Sequence, residues 1–157
     1  MERKSRILVG FLVIGIVVVA LLSIFLYNKE HRVEEIKQEA KELVKESAGI
    51  DEFKNKLEES EIKIDEEIEN TECELIGASE GYTYKIDEQE FQVYRFDFNK
   101  SDEITVTNLK MAQEDGKIVL PSFNNIEIKV VYNKGLILIN NEDSEDWDLI
   151  LEAFNKI

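Results

Sequence analysis

The chain has 157 residues, with 34 Asp and Glu against 19 Lys and Arg, and a formal charge of −15. A surface so acidic repels nucleic acid and anionic headgroups alike. One Cys excludes an internal disulfide, and one His, His31, excludes metal sites built from several His or Cys ligands and any Ser–His pair that does not use it.

Residues 1–6, "MERKSR", form a basic tail that the charge bias retains in the cytoplasm. From Ile7 to Tyr27 there are 21 residues without a charge, 16 of them Leu, Ile, Val or Phe. As a helix this run covers about 31 Å, against a hydrocarbon core of about 30 Å. A cleaved leader has a shorter apolar region of about 7–15 residues, followed by small residues. Here the run ends in bulky "IFLYNKE", and the only Cys, Cys73, is too distant to carry a lipid. The reading is therefore an uncleaved, single-pass signal anchor over 7–27, N-terminus inside and C-terminal domain outside.

Residues 28–50 place Val33, Ile36, Ala40 and Leu43 on one stripe with Glu and Lys on the other faces, which predicts a juxtamembrane amphipathic helix. That stripe packs on the following domain, spans a gap as a solvated spacer, or pairs in a short coiled coil. Gly49 marks its end and Asp51 is a capping candidate for a second short helix using Phe53 and Leu57. Residues 51–157 then read as one extracytoplasmic α+β domain. A strand is expected at Glu61–Ile64 and a short acidic helix toward Leu75.

"GYTYKI" and "FQVYRFDF" form a strand pair turning at "DEQE". Phe91 and Val93 point one way from the second strand while Tyr94, Phe96 and Phe98 point the other, which predicts a central strand. "EITVTNLKMAQEDG" reads as a helix ending at Gly116, and "KIVLP" as a strand stopped by Pro121. "IEIKVVYNKGLILIN" reads as a hairpin around "NKG". "DSEDWDLILEAFNKI" predicts a closing helix with Trp147, Ile150, Leu151, Phe154 and Ile157 on one apolar face. The expected architecture is an antiparallel sheet of four or five strands covered by helices. With the tail set aside, 28–157 carries 16 Lys and Arg against 33 Asp and Glu, a formal −17.

"ELIGASEGYTYKIDEQEFQVYRFD" and "LINNEDSEDWDLILEAFNKI" resemble segments of small extracytoplasmic proteins of low-GC Gram-positive bacteria. In that set an "IGA-x-x-G" turn leads into a strand pair, and a hairpin and an "IIEAF" helix close the domain. The likeness covers 74–157. Many members look like lipoproteins, whereas this chain has an uncleaved span, and "NKG" stands here in place of "NG". The resemblance implies envelope placement and an α+β fold, and supplies no activity and no catalytic residues.

The residues offer little chemistry. Glu58, Glu59, Glu61, Asp65, Glu66 and Glu67 would line a cleft or form a solvated face, and the second is the commoner fate of such a run. "DSEDWD" at Asp143–Asp148 lacks the Gly and distal Glu of a calcium loop. "GASEG" lacks the Lys of a phosphate loop. Tyr82, Tyr84, Tyr94, Phe96 and Phe98 make a stacking platform or sheet core, Cys73 a buried small residue or a reactive thiol, and "NKS" at Asn99 a sequon. No catalytic, cofactor or metal residue is assigned. The expected function is non-enzymatic protein or ligand binding, or sensing, at the cell envelope. The expected partners are the bilayer and another envelope protein, with no nucleic acid. The alternatives are a cell-wall-active enzyme or accessory using carboxylates, and a structural bitopic scaffold.

Overall fold

The computed structural model describes residues 2–44, 46–97, 99, 102–139 and 146–157, with side chains from Val18 onward. The chain divides into two compact units, Met1–Glu35 and Ile36–Ile157. Helix α1, Glu2–Leu43, supplies the first unit and the opening turns of the second.

In the first unit, the side chains from Val18 to Tyr27 are exposed on every face of α1, from 48% for Val18 to 66% for Tyr27. Ser23, the one hydroxyl among the aliphatic residues here, donates Oγ–H to Val19 O at 2.9 Å. Beyond them the Tyr27 ring meets His31 edge-on at 6.1 Å, and His31 lies 3.7 Å from Glu35. Among the described residues no helix is long and apolar enough to cross a membrane. The side chains described in α1 begin midway through the uncharged run Ile7–Tyr27.

The second unit is α+β. Its strands are β1 Glu66–Glu69, β2 Glu80–Ile86, β3 Gln89–Arg95, β4 Lys117–Leu120, β5 Ile126–Asn133 and β6 Leu136–Ile139. They form one six-stranded antiparallel sheet in the order β1-β2-β3-β6-β5-β4. Helices α2 Ile50–Glu59 and α4 Trp147–Asn155 cover one face; α3 Glu103–Asp115 and the end of α1 cover the other. β3 is central, as its two apolar faces require: Phe91 and Val93 enter the α4-side core, and Tyr94, with Phe96 just past the strand's end, the α3-side core.

The sixth strand corrects the expected four or five. β1 reads "EEIE", exposed at every position, so it carries no apolar alternation and exists by pairing with β2. Glu61–Ile64, expected as a strand, instead forms the turn that leaves α2. Glu61 adopts φ 61°, its N–H bonds to Glu58 O, and the Ile62 N–H bonds to Leu57 O. That pair of bonds closes a helix C-terminus, here with Glu where Gly is usual. The expected acidic helix shrinks to one 3-10 turn, Cys73–Ile76. α1 stops at Leu43, so Gly49 caps the start of α2 and Asp51 lies inside its first turn.

Both hairpins use two-residue turns with positive φ at both positions: Asp87 and Glu88 (46° and 69°), then Lys134 and Gly135 (45° and 79°). This twist matches that of the flanking strands. α3 starts with a reciprocal cap between Asp102 and Thr105 and ends at Gly116 in the left-handed region. Of the final helix's apolar face, Trp147, Ile150, Phe154 and Ile157 are buried and Leu151 partly so. Asp143 and Ser144, the expected caps, lie outside the described residues.

The edge strand β4 is covered by a side chain. Asn108, 1% exposed, accepts from the Val119 N–H at 2.8 Å and donates to Val119 O and Ile76 O at 3.1 and 2.9 Å. One amide thus imitates a neighbouring strand and ties β4 to the 3-10 turn. Asn108→Ala leaves these backbone groups without protein partners, so urea titration should show a loss of roughly 2–3 kcal/mol.

The end of α1 is built into the domain. Ala40 and Val44 are buried, and Glu39 pairs with Lys110. The carbonyl of Leu43 accepts from Gln113 Nε2 at 2.8 Å and from the Tyr132 hydroxyl at 3.2 Å. The same hydroxyl accepts the Gly135 N–H at 3.0 Å. The stripe expected from Val33 to Leu43 is therefore used, from Ala40 onward, by the chain's own domain.

Candidate functional site

On the α3 side of the sheet the helical cover is incomplete, and the gap is a recess of about 230 Å³. Its walls are Leu75 and Ile76 of the 3-10 turn, Ile118 and Leu120 of β4, Ile128 of β5 and Ile139 of β6. Strand alternation puts these residues here: in β4, β5 and β6 the even-numbered or odd-numbered set facing this side is apolar, and the turn closes over it. Phe123, 50% exposed, stands at the rim.

The polar part is small. Glu72, Gln92 and Tyr94 line one side, and the Tyr94 hydroxyl donates to Gln92 Oε1 at 3.3 Å. Tyr94 stands opposite Gly81 in the β2–β3 ladder, and its ring lies over that glycine: a Cβ there would meet Cδ1 at 2.3 Å. Gly81 therefore sets the depth at which the ring sits. Beneath, Asn70 holds the wall, with its Oδ1 accepting from Thr83 Oγ1 at 2.9 Å and its carbonyl from Cys73 Sγ at 3.0 Å. Burial, followed by the nearby Cys73, raises the Tyr94 pKa above 10.0, so the phenol stays neutral and serves as a hydrogen-bonding group.

A concave apolar surface with a few convergent polar groups is the usual form of a binding site. This one suits a single bulky apolar group with a polar or cationic neighbour reaching Glu72. Among the described residues its lining contains no Ser, His or Cys.

The residues singled out in the sequence are dispersed. Glu58, Glu59, Glu61, Asp65, Glu66 and Glu67 are all exposed, and three of them meet lysines: Glu67 with Lys54, Glu59 with Lys56 and Asp65 with Lys63. Of the aromatics, Tyr84 and Phe96 are core and Tyr82 stacks on Tyr84 at 6.2 Å; only Tyr94 reaches the recess, and Phe98 lies outside the described residues. Cys73 is half-buried, and Asn99 is exposed and turned to Asp97. Among the described residues no group of three or more His, Cys, Asp or Glu is placed to hold a metal ion. The recess itself escaped the sequence because its walls come from five segments between 72 and 139.

Tyr84 supplies a pH test of the opposite core. Burial, then the carboxylate of Glu67, lifts its pKa well above 10.0. The unfolded chain releases this proton near pH 10 and the folded chain retains it, so stability is full below pH 10 and falls above it. Urea titrations should show a decline of up to about 1.4 kcal/mol per pH unit from this residue, and Tyr84→Phe should remove that share.

Comparison with protein-family models, with curated proteins and with solved structures finds no match to this chain.

Proposed function

We propose that this chain is a single-pass, membrane-anchored extracytoplasmic domain that binds a protein or ligand at the cell envelope and catalyses no reaction. The observation that carries the anchoring is the uncharged, predominantly aliphatic and exposed surface of α1 from Val18 to Tyr27, continuous in sequence with the uncharged run from Ile7. A helix that is hydrophobic all round belongs in a protein core or in lipid. The recess beside Tyr94 supports the binding part of the reading, and the six carboxylates from Glu58 to Glu67 are all exposed.

N-terminal sequencing of the mature protein and protease treatment of intact protoplasts test the placement together. The expected result is a mature chain that retains 7–27 and a domain digested from outside. A mature chain starting after Tyr27, or a domain protected until lysis, would refute it. For binding, detergent-solubilised membranes should yield an envelope protein with the wild-type chain and lose it with Ile139→Glu, which places a charge in the recess.

A further inference from the structure

We infer that the β4–β5 turn, Pro121–Ile126, is a second membrane contact that dips into the lipid interface; this rests on the anchored reading above. In a domain with a formal −17, the nine residues Ile118–Ile126, "IVLPSFNNI", carry no charge. The two charges that bound them, Lys117 and Glu127, neutralise each other at 2.9 Å. At the tip Phe123 and Ile126 are 50% and 53% exposed, beside an exposed Pro121. The tip itself carries no charge, so its projecting Phe and Ile add no repulsion at an anionic surface and no large desolvation penalty, while Glu72 and Glu103 line the recess and cleft beside it.

The last turns of α1 run alongside α3 in the same sense, Glu39 beside Lys110 and Leu43 beside Gln113. The start of α3 adjoins the turn, since Ile104, Pro121 and Asn125 line one cleft. Ile36, where the second unit begins, thus belongs to the end that carries Phe123. Two side chains cannot hold a free domain on a bilayer, but a tether makes the contact intramolecular and weak insertion then suffices.

The test uses the full chain in vesicles of phosphatidylcholine and phosphatidylglycerol, with bromine on the acyl chains in a matched set. Wild type, whose only Trp is the buried Trp147, gives the baseline. Phe123→Trp and, independently, Ile126→Trp should each add a blue-shifted emission that brominated lipid quenches for the greater part. An added emission that is red and unquenched, in chain that stays with the vesicles through an alkaline wash, overturns the proposal and leaves the tip to a protein partner. Chain released by the wash refutes the anchor and the contact with it.

Discussion

Trp147→Ala should lower the unfolding free energy by about 3–5 kcal/mol, the usual cost of removing a buried Trp or Phe side chain. Trp147 opens α4, is 9% exposed, and stacks on Phe91 of the central strand at 6.3 Å with ring planes 9° apart. Its neighbours on the same helix face, Ile150 and Phe154, are fully buried, and Phe154 meets Phe53 of α2 edge-on at 5.3 Å. Removing the indole opens a cavity where the helix begins, and rigid sheet residues on the far side cannot collapse into it. A domain of this size has roughly 5–15 kcal/mol in all. Chemical unfolding followed by far-ultraviolet circular dichroism should show the midpoint fall sharply, with Trp147→Phe recovering most of the loss. A change below about 1 kcal/mol for Trp147→Ala would mean that α4 does not seal the core.

Gly77→Ala is expected to cost roughly 2–5 kcal/mol and to disturb the recess. Gly77 has φ 77°, where a residue with a Cβ loses about 1–2 kcal/mol. The added methyl would also lie 2.5 Å from Thr105 N and 2.7 Å from its Cα, which are backbone atoms of the first turn of α3. A side chain could rotate aside, but this turn is fixed by its own cap and by Thr105 Oγ1 donating to Gly77 O at 2.8 Å. Forcing α3 and the 3-10 turn apart adds about 1–3 kcal/mol. Leu75 and Ile76 move with that turn, so binding at the recess should weaken more than stability alone accounts for. Gly49→Ala is the control: φ there is −83° and a Cβ meets nothing closer than 4.0 Å, so stability should barely change.

The elements legible in the sequence share one property, a strong local pattern. β2, β3 and β5 alternate apolar and polar residues, β6 is a short apolar run behind a tight turn, and α4 repeats its apolar face at helical spacing. β1 has three Glu and one Ile, and only the partner strand reveals it. Glu61 was unreadable as a helix stop because a left-handed Glu gives no compositional sign. Asn108 looked like an ordinary polar residue in a helix pattern, and its role depends on Val119 and Ile76, 11 and 32 residues away. The recess is less local still, since each wall residue follows the same rule as any core residue and only their convergence leaves a gap.

The joint at Leu43 has a mechanical meaning. Because its carbonyl is gripped by Gln113 and Tyr132, and the Tyr132 hydroxyl in turn holds the β5–β6 turn, the passage from α1 into the domain contains no slack at that point. A pull or twist delivered at Ile36 would reach the β5–β6 hairpin through the Tyr132 side chain. Tyr132→Phe would remove both hydrogen bonds of that hydroxyl while leaving the strand ladder in place, and so loosen the joint.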